Sequence, residues 1–214
     1  MKTVLITGFE PFGGEPVNPA LEAIRRLEKS TIGGAQIVTR ALPVVKDKAI
    51  SHLVSHIDEI RPDLVLAVGQ AGGRPELSVE RVAINVDDYR IKDNEGNQPI
   101  DEAIVAGGPA AYWSSLPIKA MVEAAKQGGI PASVSNSAGT FVCNHLFYGL
   151  MHHLAKKEAI RGGFIHIPYL PEQTVRNPGQ PSMALETIVL GLELFIKAAL
   201  KYREDLKQSA GTIC

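Results

Sequence analysis

Three side chains in this sequence have the types needed to cleave an acyl bond by nucleophilic attack: a thiol, an imidazole and a carboxylate. Cys143 lies in SNSAGTFVCNH at 135–145, where a strand-like run ends, small residues turn and a helix begins near Phe141. A cysteine in the first turn of a helix meets unpaired amides and the positive end of the helix dipole, so its thiol pKa is expected to fall. The same amides can hold an oxyanion. The alternative is a buried, inert cysteine. A thiolate nucleophile needs a base, and His166 sits in the apolar strand run FIHIP at 164–168. If its strand lies beside and parallel to the one before Cys143, the carboxyl ends bring the two together. The alternative is a core histidine with its hydrogen bonds satisfied. Glu80 is the candidate for orienting the imidazole. Period two places it with Val82 and Ile84 on one face of a strand, where an unpaired carboxylate costs several kcal/mol, so it must be partnered. The alternatives are a salt bridge to Arg81 or Arg90, or an exposed edge.

The other histidines promise less. His52 and His56 are four apart on a helix, but no third ligand accompanies them, so a solvated face is expected and no metal. His152 and His153 are expected on an exposed helix side. His145 is near Cys143 but poorly spaced to share its face. The loop GFEPFGG at 8–14 follows the first strand run and precedes a helix, yet it lacks a GxGxxG or Lys-Ser/Thr fingerprint. Phe9 and Phe12 would obstruct phosphate. They read either as walls of an apolar pocket or as core. Cys214 is expected to be a mobile terminal thiol.

Alternating elements must position these groups. Strand runs are expected at 3–7, 36–42, 63–69, 77–86, 130–135 and 163–168. Helices are expected from Pro19 to about Lys29, with Asn18 as N-cap, and over 46–60, 118–127, 141–157 and 182–206. Residues 87–109 read as loop or hairpin. The alternation predicts a single domain over 1–214 with an α/β/α layered fold and a mostly parallel twisted sheet. In such folds chemistry gathers beyond the carboxyl ends of strands.

Composition narrows the classes. The chain has 214 residues, 45% hydrophobic and 21% charged, so it can bury a core and is neither disordered nor a coiled coil. Lys+Arg is 22 against Asp+Glu 23, which gives no basic field for nucleic acid. Two cysteines form no disulfide or zinc framework, and a reducing, cytoplasmic compartment fits. The N-terminal apolar run is too short for a signal-peptide core. The longest apolar stretch, 183–200, carries Glu186, Glu193 and Lys197, so no membrane span is expected.

Six ordered motifs give the chain a strong resemblance to the type I pyroglutamyl peptidases. They are GFEPFGG at 8–14 with Asn18-Pro19, VGQAGGR at 68–74, ERVAIN at 80–85, DNEGNQP at 93–99, SNSAGTFVCN at 135–144 and FIHIPYLP at 164–171. The resemblance implies a cysteine peptidase that removes N-terminal pyroglutamate from peptides. It implies Cys143 as nucleophile, His166 as base and acid, and Glu80 as orienting group. It places Phe9, Phe12, Asn18, Gln70, Phe141 and Val142 at the substrate site, with Arg90 near the oxyanion. A cytoplasmic homotetramer without metal or cofactor is implied too. Two other readings remain at this point: a non-catalytic small-ligand module, and a nucleoside hydrolase or phosphorylase. The second needs an Arg/Ser cluster, whereas Arg74, Arg81 and Arg90 are scattered.

Overall fold

In the computed structural model, which describes residues 1–157 and 159–211, the N-terminal β-branched run becomes strand β1 (Lys2–Phe9), buried from Val4 onward. Helix α1 (Pro19–Leu27) starts as its sequence predicts. The Ala20 amide donates to Asn18 Oδ1 at 3.0 Å, and Pro19 occupies the first turn, where a missing N–H costs nothing. A hairpin of β2 (Thr31–Ile32) and β3 (Ala35–Leu42) follows, then α2 (Lys48–Ile60) and β4 (Leu64–Gln70). Next come β5 (Leu77–Glu80), β6 (Val82–Ile84) and β7 (Ala111–Trp113). The chain continues through α3 (Ile118–Gln127), β8 (Ala132–Ser135), α4 (Val142–Leu154) and β9 (Arg161–Ile167) to α5 (Pro171–Thr174) and α6 (Leu185–Lys201).

Seven strands form the central sheet in the order β2-β3-β1-β4-β9-β5-β8. The block β3-β1-β4-β9 is parallel, as is the pair β5-β8, but β5 runs antiparallel to β9. Alternation of side chains gives the sheet two cores. Ile6, Leu66, Val79 and Ile165 pack with Ile24 of α1, Met121 of α3 and Phe195 of α6. Leu5, Ala67 and Phe164 pack on the other face with Leu53 of α2 and Leu146 and Phe147 of α4. This is the expected α/β/α layering with a mostly parallel sheet. No described helix is long and apolar enough to cross a membrane.

The expected single strand over 77–86 is two. β5 ends at Glu80, and Arg81 donates its amide to the Ser135 carbonyl at 2.8 Å and its side chain to Asn136 Oδ1 at 2.8 Å. The chain then leaves the sheet and resumes as β6, which pairs only with β7 in a separate two-stranded sheet. The apolar alternation changes phase at that point, from Leu77 and Val79 to Val82 and Ile84, but nothing in it marks a change of sheet.

Candidate active site

The seam between β9 and β5 holds the first pair. Ser78 lies opposite His166 in the antiparallel register, so Glu80, two residues on, is a diagonal neighbour on the same face. A glutamate is long enough to span that diagonal. His166 Nδ1 and Glu80 Oε1 are 2.7 Å apart, with the side chains 4% and 0% exposed. The cation paired with Glu80 is neither Arg81 nor Arg90 but Arg74, from the loop between β4 and β5, with Nη1 2.6 Å from the same oxygen. Burial pushes the Glu80 carboxyl up. The His166 hydrogen bond and charge, the nearby Ser135 hydroxyl and the Arg74 guanidinium outweigh it and hold the carboxyl below its ordinary range.

Cys143 arrives by a route that the sequence does not foretell. β5 lies between β9 and β8, and β8 runs opposite to β9, so no shared carboxyl edge joins the strand before Cys143 to the strand of His166. The loop after β8 instead carries α4 onto the sheet face that holds Leu5, Ala67 and Phe164. There the thiol lodges against Gly69, the β4 residue directly opposite His166. A Cβ at Gly69 would lie 2.7 Å from the Phe164 ring and 3.0 Å from Cys143 Sγ. Gly69 is thus a site residue that sequence reasoning missed, although a glycine in an apolar strand is a known sign of close approach. Gly69→Ala is expected to displace the thiol or the Phe164 ring. A displacement of about 1 Å can cost about 100-fold in kcat. An unchanged kcat would show that the thiol does not need that space.

The electrostatic expectation for Cys143 is corrected. Part of the residue remains accessible, yet burial pushes its thiol up to about 12, the Glu80 carboxylate adds to the rise, and the Arg74 guanidinium opposes it. Burial disfavours the thiolate, and the direction is opposite to the one that the helix start alone suggests. A thiol held so deep is harder to ionise, so catalysis by it would call on a nearby proton acceptor.

Cys143 and His166 line one cavity of about 670 Å³, a size suited to a small ligand. Phe12, Gln70, Arg90 and Phe141 line it with them, and Phe12 packs on Phe141 with ring centroids 6.0 Å apart. Three expected substrate contacts lie outside its lining. Phe9 is 3% exposed and packs on Phe164. Val142 is 1% exposed within the α4 core. Asn18 caps α1 and donates Nδ2 to the Glu10 carbonyl, fixing the loop that carries Phe12. No side chain caps α4 at Phe141, so its first-turn amides are not spent on a capping group.

The remaining histidines are accounted for by packing. His145 is wholly buried: Nδ1 meets Asp87 Oδ2 at 2.8 Å, and Nε2 accepts the Asp47 amide at 2.9 Å. Both ring nitrogens are engaged, so it has none to offer as a base. His152 is half-buried, bonded to the Tyr112 hydroxyl at 2.9 Å and stacked on Tyr148, and His153 is half-buried near Asp58, not solvated as expected. His56 is half-buried too, beside Glu59, whereas His52 is exposed. Cys214 lies outside the described residues.

Comparison with known proteins converges on one family. A sequence profile described as pyroglutamyl peptidase matches residues 2–202. The chain is 61% identical to a pyrrolidone-carboxylate peptidase of Cupriavidus taiwanensis and 59% identical to one of Brevibacillus brevis, each alignment covering 100% of both chains. Among solved structures it is similar to pyroglutamyl peptidase I of Bacillus amyloliquefaciens, with a TM-score of 0.95 at 52% identity over 97% of this chain and 99% of that one. The pyrrolidone carboxyl peptidase of Thermococcus litoralis gives 0.94 at 40% identity over 98% and 100%.

Proposed function

The chain belongs to the pyroglutamyl peptidase family, and we propose that it removes the N-terminal pyroglutamyl residue of peptides with Cys143 as nucleophile, His166 as general base and acid, and Glu80 as the orienting carboxylate. The observation that carries this reading is the buried 2.7 Å contact between Glu80 and His166 Nδ1 beside the cavity that Cys143 lines. It leaves Nε2 to exchange a proton with the thiol. His166 takes that proton as sulfur attacks the pyroglutamyl carbonyl, and Glu80 stabilises the imidazolium. Amides at the start of α4 receive the oxyanion. The imidazolium then protonates the leaving amine as the C–N bond breaks. Water, deprotonated by the same histidine, attacks the thioester, releasing pyroglutamate and restoring the thiol.

Pyroglutamate is a neutral lactam, so its recognition needs apolar walls and a few directed polar groups. Phe12 and Phe141 supply walls. Gln70 Oε1 accepts from the fully buried Gln173 Nε2 at 2.9 Å, and Gln173 Oε1 in turn accepts the Leu170 amide at 3.0 Å. That chain orients Gln70 so that its own NH₂ group can donate to the lactam carbonyl. The family resemblance further leads us to read the protein as a one-domain, cytoplasmic homotetramer that needs no metal or cofactor. The basic test is hydrolysis of a pyroglutamyl amide by purified protein in the presence of a reducing agent, and no release of pyroglutamate would refute the reading.

Glu80→Gln keeps the side chain's size and removes its charge. Its expected effect is a fall of about 100-fold in kcat with KM within about threefold. A thiol leans on its base less than a hydroxyl does, so the loss stays below that of the nucleophile. An unchanged kcat would leave a Cys143–His166 dyad. Stability responds as well. A carboxyl held below its ordinary range stabilises the fold above that range, and the contribution disappears as pH falls through the folded value. Urea midpoints of Glu80→Gln should therefore depend less steeply on pH below about 5 than those of the parent. Equal slopes would mean that folding leaves the carboxyl's pKa where the unfolded chain has it.

A further inference from the structure

Glu80 uses only one of its oxygens. Oε1 receives both His166 Nδ1 at 2.7 Å and Arg74 Nη1 at 2.6 Å, while Oε2 is buried and has no hydrogen-bond partner among the described residues. This is not a surface ion pair, since the carboxylate is 0% exposed and the Arg74 side chain 30%. The other arm of the fork is also engaged. Arg74 Nη2 donates to the Ser137 carbonyl at 3.0 Å, in the turn that leads from β8 to Cys143, and the Ser135 hydroxyl donates to that same carbonyl at 3.1 Å. Arg74 therefore ties the orienting carboxylate to the segment that delivers the nucleophile.

The loop around Arg74 is shaped for this reach. Gly72 lies so close to Tyr169 that a Cβ there would be 2.4 Å from the phenol oxygen. The Arg74 amide closes a turn onto the Ala71 carbonyl at 3.4 Å, and the side chain then meets Glu80 at the end of β5. Among the described residues, His166 and Arg74 are the only cationic partners within ion-pair distance of Glu80. The thiol feels the same guanidinium, which opposes the rise that burial and Glu80 impose on it.

We propose that Arg74 is a positioning residue for the Cys143–His166–Glu80 constellation: its fork fixes which Glu80 oxygen faces the imidazole, and its charge offsets that carboxylate at the forming thiolate. The proposal rests on the peptidase reading. Arg74→Met removes fork and charge, whereas Arg74→Lys keeps the charge and loses the planar fork.

The test measures kcat, KM and the pH profile of kcat/KM on a pyroglutamyl amide, and in parallel the rate of Cys143 alkylation by iodoacetamide against pH. Thermal melting of each variant accompanies them. Arg74→Met is expected to lower kcat by about 10- to 100-fold, the loss of one charged hydrogen bond, with KM within about threefold. The acid limb of its profile should move to higher pH, and alkylation should slow at each pH. Arg74→Lys should restore the limb and the alkylation rate but only part of kcat. Arg74→Met with unchanged kcat, limb and alkylation would overturn the proposal. So would a higher KM with kcat and alkylation intact, which would make Arg74 a substrate contact, or losses in both variants that follow melting alone. Alkylation requires no pyroglutamyl substrate. A parent protein that cleaves no pyroglutamyl amide, but whose alkylation responds to Arg74→Met, would sink the substrate reading and leave the positioning role standing.

Discussion

Cys143→Ser is expected to lose at least about 10³-fold in turnover of a pyroglutamyl amide, the scale on which removal of a nucleophile acts. The site explains the size of the loss. A serine oxygen sits on a shorter bond than sulfur, so it would retreat from the space that Gly69 leaves open for Sγ. It is also far less acidic than a thiol, in surroundings where burial already pushes the thiol up to about 12. The Glu80–His166 pair would remain assembled, since its 2.7 Å contact does not involve Cys143. The variant should therefore melt close to the parent and bind substrate with a similar KM while failing in kcat. Residual activity within about tenfold of the parent would remove Cys143 from the mechanism.

The second large effect is in substrate choice. Amides of pyroglutamate, glutamate, glutamine and proline with one common leaving group should differ in kcat/KM by up to about 10⁴-fold in favour of pyroglutamate. Glutamate and glutamine bring an ammonium to walls formed by Phe12 and Phe141, and glutamate adds a carboxylate. A buried charge without a partner costs several kcal/mol. Glu15, the cavity carboxylate nearest in sequence to Phe12, is already held by Arg176 at 2.8 Å and Asn177 at 3.1 Å. Proline matches the ring in shape but carries a charged nitrogen and no ring carbonyl, so the Gln70 amide would be left without its acceptor. A glutamyl or prolyl amide cut within about tenfold of the pyroglutamyl one, only about 1.4 kcal/mol, would contradict the lactam pocket. Asp88, which also lines the cavity, would then be the group to suspect of receiving the ammonium.

Much of this architecture is legible in the sequence because it rests on local signals. Asn18-Pro19 marks the start of α1, the apolar runs mark β1, β4 and β9, and α3 spans the expected 118–127. Cys143, His166 and Glu80 stand out because each is a chemically capable group in an apolar or small-residue setting. What the sequence hides depends on long-range geometry. Period two does not say that the chain leaves the sheet at Arg81, nor that β5 inserts antiparallel beside β9. Phe9 and Phe12 look equivalent in GFEPFGG, yet Phe9 belongs to β1 and turns into the core while Phe12, beyond its end, faces the cavity. Arg74 looks like one of several scattered arginines because only the closed loop at Gly72 returns it to Glu80. The direction of the thiol pKa shift is hidden for a related reason: a helix start is visible in sequence, whereas the depth at which α4 is packed is not.

The most direct test of the mechanism is to catch the covalent intermediate. A pyroglutamyl aryl ester, whose good leaving group makes acylation fast, should let the thioester accumulate during turnover. Acid quenching followed by digestion and mass spectrometry should then find one pyroglutamyl group on the peptide that contains Cys143, and none in the Cys143→Ser protein. Steady turnover with Cys143 unmodified, or with the acyl group on another side chain, would contradict nucleophilic catalysis by Cys143.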